Sequence, residues 1–208
     1  MKAARIVDVG AQLVEGGRDL ADAIDRASAY AEAHHAFFLN DASDPDIPSG
    51  TATIALETLD QLPSTDAFYV PVGDTALIRG LAAAAKPRRP GIRIVGVQAT
   101  RAPAYVMSWR EGTVVVTHVA DTIADGLAVR RPLAENVAAI RDLVDDMRLV
   151  TEEELRAAIG LLFTREQIVA EPAGAAAAAA LLAEPPGQAT GTVVLIVSGS
   201  NISPELLA

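Results

Sequence analysis

The chain has 208 residues, 50% of them apolar and 21% charged, a balance that suits a buried core and argues against wholesale disorder. With 27 acidic against 17 basic residues the formal net charge is −10, and no basic stretch exists to neutralise a phosphate backbone, which argues against nucleic acid as a partner. The absence of cysteine removes disulfides, thiolate metal sites and a cysteine nucleophile.

The opening MKAARIVDVGAQL carries positive charge, but Asp8 and Gln12 break any apolar run, so it does not read as a secretory leader. Leu20, Ile24, Ala27 and Ala31 recur at helical spacing and predict an amphipathic helix over 18–34. A short strand is expected at 36–39. The polar run NDASDPDIPSG over 40–50 has turn density and marks the boundary between a small leading unit, 1–40, and a main body, 41–208.

Beyond that boundary the types alternate. A helix is predicted over 53–62, a strand over 67–72, a helix over 76–85 and a strand over 92–97, which together make a βαβ unit. Leu133, Val137, Ile140 and Val144 mark a further helix, and Thr151-Glu152-Glu153-Glu154 is a capping box opening a helix whose Leu155, Ile159 and Leu162 share one face. An alanine-rich helix over 173–183 is stopped by Glu184-Pro185-Pro186 and is too short to span a bilayer. The apolar strand 192–197 follows it. Continuous apolar strands between helices imply an α/β fold: three αβα layers about a mostly parallel sheet. No internal repeat is seen. A cytoplasmic location is the expectation, with no membrane partner.

Ligands of open parallel sheets bind beyond the carboxyl ends of the strands. Two loops qualify there: Val72-Gly73-Asp74-Thr75-Ala76 and Ser198-Gly199-Ser200-Asn201. The first could hold an anion on a helix N-terminus. Alternatively Asp74 or Thr75 is itself the cap that satisfies those amides, and an acidic side chain there repels a phosphate. The second loop reads equally as a ligand loop or a plain turn. His34, His35 and His118 lack the spacing of a metal site or a nucleophile–base pair and read as surface or capping residues. The lysines are Lys2, at the chain start, and Lys86, in the solvated KPRRPG loop.

Together these stretches resemble the threonine/serine dehydratase branch of the fold type II pyridoxal-phosphate enzymes. Lys2-Ala3-Ala4-Arg5 with Gly10-Ala11 resembles a helix and turn late in the family's small domain, and Asp44-Pro45-Asp46 with Thr53-Ile54-Ala55-Leu56-Glu57 its re-entry into the large domain. Val70-Pro71-Val72-Gly73 stands where the family has its glycine-rich phosphate loop. Asp121-Thr122-Ile123-Ala124-Asp125-Gly126-Leu127-Ala128-Val129 is the most telling match, and Glu171-Pro172-Ala173-Gly174 and Ser198-Gly199-Ser200-Asn201 complete it. The resemblance implies a tryptophan synthase beta-like large domain with a remnant of the small domain, and pyridoxal phosphate as the cofactor. It also implies deamination of L-threonine or L-serine to a 2-oxo acid and ammonia.

By position, the resemblance assigns Gly73, Asp74, Thr75 and Ala76 to the phosphate loop and Ser198 to the pyridine nitrogen. The family's Schiff-base lysine and Asn loop belong to a front third that has no counterpart here, and Lys2 matches a different, later lysine; no catalytic residue is assigned. Where the family has Gly-Gln-Gly-Thr, the chain has Gly50-Thr51-Ala52-Thr53. Gln98 and Ala104 stand where some members place carboxylates for a divalent cation, so no metal site is expected. Two readings follow: a dehydratase whose front third is missing through a mistaken start, truncation or split gene, or a non-catalytic pseudoenzyme acting as a binding or subunit-interaction module. Both call for a partner, either a complementary N-terminal segment or a second copy in a homo-oligomer.

Overall fold

The computed structural model describes residues 2–185, 187–188 and 190–207. Its leading portion is helical and thinly covered. α1 (Lys2–Asp8) is followed by α2 (Leu20–His34), in which Ala31 alone is buried. Asp19 caps α2 by accepting the Asp22 amide at 2.9 Å, and the ion pairs Arg130–Asp19 and Arg131–Asp25, both 2.7 Å, tie the helix to the body. His34 turns back on Tyr30, and His35 ends the helix in a left-handed conformation, φ 51°. The expected strand at 36–39 belongs to no sheet, and Phe37 there is 83% exposed. A strand needs a neighbour for its N–H and C=O groups, and this segment has none among the described residues.

The body begins with α3 (Ile47–Gln61), earlier than expected because Pro48 lies in the first turn, where a missing N–H costs nothing. β1 (Thr65–Pro71), α4 (Ala76–Arg88) and β2 (Arg93–Ala99) form the expected βαβ unit. Next come α5 (Ala104–Glu111), a 3₁₀ turn at Asp125–Leu127, α6 (Ala134–Leu143) and β3 (Asp146–Val150). α7 (Glu152–Glu166), α8 (Pro172–Leu182), β4 (Thr192–Leu195) and α9 (Pro204–Leu207) complete the order. The capping box is present in full: Glu154 N–H donates to Thr151 Oγ1 at 3.1 Å and Thr151 N–H to Glu154 Oε2 at 2.7 Å.

All strand pairs are parallel, in the order β3-β2-β1-β4. Period-two alternation divides the core into the three expected layers. Ala67, Tyr69, Val95 and Val97 face α7 and α8, whereas Phe68, Val70, Ile94 and Met147 face α3, α4, α5 and α6. α8 is buried from Pro172 through Ala180, and its methyl side chains let the backbone lie close on the sheet. Gly80 does the same between α3 and α4, since a Cβ there would meet the Pro48 carbonyl oxygen at 2.0 Å. β4 forms one edge, and each of its four residues is only half-buried.

α5 and β3 were not anticipated. Asp146 and Arg148 interrupt the apolar run of β3, and they pair with each other at 2.8 Å on a sheet edge, where charge is tolerated. α5 lacks an N-cap side chain and begins after Pro103, so no local start signal announces it.

Candidate functional site

β1 ends at Pro71, and the chain passes through Val72, Gly73 and Asp74 into α4 at the carboxyl edge of the sheet. Gly73 is required by contact: a Cβ would lie 2.3 Å from the Gly126 carbonyl oxygen of the 3₁₀ turn. Thr75 adopts φ 83°, a left-handed conformation that a β-branched residue rarely takes. Thr75 stands at the N-cap position, but it is Asp74, one residue before it, whose Oδ1 accepts the first helical amide, Ala76 N–H, at 2.9 Å. The Thr75 hydroxyl makes no cap bond; Oγ1 is buried without a hydrogen-bond partner.

One side chain from elsewhere bonds this loop directly, and Tyr105 and Arg79 join its network. Asn136, fully buried on α6, donates from Nδ2 to the carbonyl oxygens of Ala42 (2.9 Å) and Asp74 (3.1 Å) and to the Tyr105 hydroxyl (3.2 Å). Arg79 Nη2 reaches the Ala42 carbonyl at 3.2 Å. A cavity of about 250 Å³ opens beside them, with Asp41, Asp74, Tyr105, Asp125 and Leu133 among its lining residues. Burial raises the Asp74 carboxyl to about 6, and the neighbouring Asp41 carboxyl pushes the same way.

That shift has a measurable consequence. A carboxyl whose folded-state value exceeds its unfolded value of 3.8 destabilises the fold once ionised, so stability is greatest below that value and falls as pH rises towards about 6. Asp74→Asn keeps a cap oxygen and removes the charge. It is expected to match the parent near pH 3.5 and to exceed it by about 1–2 kcal/mol at pH 7.5, after allowance for partial solvent screening. Urea unfolding at the two pH values checks this, and a gap that does not widen with pH would contradict it.

Ser198 follows β4, the neighbour of β1, and is exposed. Its loop is clamped to the start of α8: Glu171 N–H donates to the Gly199 carbonyl at 3.0 Å, and a Cβ on Gly174 would meet that oxygen at 2.4 Å. Gly73 and Ser198 thus leave adjacent strand ends, but Ser198 does not line the cavity beside Asp74. Gln98 is fully buried, and its Oε1 accepts the Val106 N–H at 2.9 Å, joining β2 to α5. Ala104 is buried in α5. Among the described residues no group of three or more His, Asp or Glu could hold a metal ion.

Lys86 is far from this edge. α4 runs back across the sheet, and Lys86 near its end pairs with Asp145 at 2.7 Å, whose other oxygen accepts the Ile94 N–H at the start of β2. A phosphate does not fit the loop as it stands, because Asp74 already caps the helix and a second carboxylate, Asp41, adjoins it. Sequence reasoning missed Asp41, Asn136 and Tyr105. The Asp41–Asp74 meeting and the Asn136 bridge join residues far apart in the chain and leave no local signal. Gly126 was visible within the most telling matched stretch, though without a role.

The family model described as "Pyridoxal-phosphate dependent enzyme" matches residues 1–199. The chain is 38% identical over 201 residues to the L-threonine ammonia-lyase of Geobacter sulfurreducens, covering 97% of this chain and 50% of that protein. It is 36% identical over 203 residues to the catabolic L-threonine dehydratase of Escherichia coli K12, covering 97% of this chain and 62% of the relative. A solved threonine deaminase, from T.th., superposes with a TM-score of 0.89 at 31% identity, over 96% of this chain and 66% of that one. The chain therefore spans about half to two-thirds of the length of these proteins.

Proposed function

We propose, since the chain belongs to the pyridoxal-phosphate-dependent enzyme family, that it is the sheet-bearing portion of a threonine/serine dehydratase whose Schiff-base lysine lies outside residues 1–208. The observation that carries this reading is sequence identity of 36–38% to threonine ammonia-lyase and dehydratase over 97% of the chain. The net reaction removes water from L-threonine or L-serine and returns it on hydrolysis, releasing ammonia and a 2-oxo acid. Residues 1–40 are then a remnant of the small domain and 41–208 the large domain, in a protein of the cytoplasm.

The exposed edge supports a partner. Val193, Leu195 and Val197 pack towards one core layer and Val194 and Ile196 towards the other, yet all are only partly buried. No strand pairs on the outer side of β4 among the described residues. Such an edge invites a further strand, and we assign it to a complementary N-terminal segment rather than to a second copy. Co-expression with the amino-terminal segment of the Geobacter relative should give a complex that converts L-threonine or L-serine to a 2-oxo acid and ammonia. A stable complex without deamination would favour the second reading, a non-catalytic binding or subunit-interaction module, for which the acidic cap at Asp74 is the supporting observation.

A further inference from the structure

We infer that Asp74 is an internal stand-in for an anionic ligand: its carboxylate occupies the N-terminus of α4, so the loop accepts an external phosphate only when that charge is removed. The inference rests on the family reading for the identity of the loop, and on geometry for the rest. The loop keeps the form of an anion cradle. It lies at the carboxyl end of an inner parallel strand and opens directly into a helix, and Thr75 holds a left-handed conformation of the kind that builds amide concavities. A cradle of that shape can give its donors to an anion.

Here the donors are disposed otherwise. Asp74 Oδ1 takes the Ala76 N–H at 2.9 Å. The buried Thr75 Oγ1 has no partner, although a hydroxyl beside a helix N-terminus is a natural donor to a phosphate oxygen. Asn136 fixes the loop by gripping the Asp74 carbonyl at 3.1 Å, so the acidic cap is held in place rather than free to swing clear with the backbone. Asp41 adds a second carboxyl beside the first; the Arg79 guanidinium pulls the other way but more weakly, so the pair resists a further negative charge. A self-supplied carboxylate explains together why the helix start is capped and why the strained Thr75 conformation persists.

The test is calorimetric titration of the full chain with inorganic phosphate at pH 7.5, comparing the parent with Asp74→Asn and Asp74→Gly. Asp74→Asn keeps a cap oxygen, so it remains informative if the glycine variant fails to fold. Both variants are expected to bind phosphate at least tenfold more tightly than the parent. Equal binding by parent and Asp74→Asn, or no gain in either variant, would overturn the inference. Because the readout is phosphate binding by the chain alone, a failed deamination assay bears on the dehydratase reading and not on this one.

Discussion

Incubated with pyridoxal phosphate and L-threonine or L-serine, the purified chain alone is expected to release no ammonia above a blank containing free cofactor. The reason is positional. A Schiff-base lysine would have to reach a cofactor bound beyond the carboxyl ends of the strands, and the sequence contains only Lys2 and Lys86. Lys86 is bound to Asp145 at the opposite edge, and α4 lies between it and the Gly73 loop. Nor can the loop recruit the cofactor through its phosphate at neutral pH while Asp74 caps the helix and Asp41 adjoins it. An ammonia assay with the parent chain and with Lys86→Ala checks this. Turnover by the parent that disappears in the lysine variant would contradict it.

The second large effect concerns stability. Phe68 is fully buried at the middle of β1, opposite Ile94 of β2 and Val194 of β4, within the layer that includes Ile78 and Leu81. Phe68→Ala leaves a cavity that two hydrogen-bonded neighbours prevent from collapsing, and it is expected to cost about 3–5 kcal/mol. A domain of this size has about 5–15 kcal/mol in total, so the variant should unfold at far lower urea. A loss below about 1 kcal/mol would mean that the β1 environment is looser than the structure indicates. The same substitution at the half-buried Val194 should cost less, because that edge already meets solvent.

Much of the architecture was legible because its signals are local. The βαβ alternation follows from apolar runs bounded by turns, and Thr151 with Glu154 announces α7 through a reciprocal cap. The segment at 36–39 misled for the opposite reason: apolar residues suggest a strand, but pairing depends on a neighbour that local sequence does not reveal. β3 was hidden by Asp146 and Arg148, whose charges are accommodated by mutual pairing at an edge. At the site, the capping role of Asp74 was readable from residue type and position. The left-handed Thr75, the approach of Gly126 to Gly73 and the Asp41 carboxyl are tertiary, and each joins or constrains the loop through the packed fold.

Under the proposed function, this chain supplies the sheet of a dehydratase and the reactive lysine lies outside residues 1–208. Borohydride reduction of the complex with the amino-terminal segment of the Geobacter relative, in the presence of pyridoxal phosphate, followed by peptide mass mapping, tests it most directly. One stoichiometric phosphopyridoxyl group is expected on a lysine of the added segment and none on the present chain. A stoichiometric adduct on Lys2 or Lys86, formed with or without the segment, would contradict it.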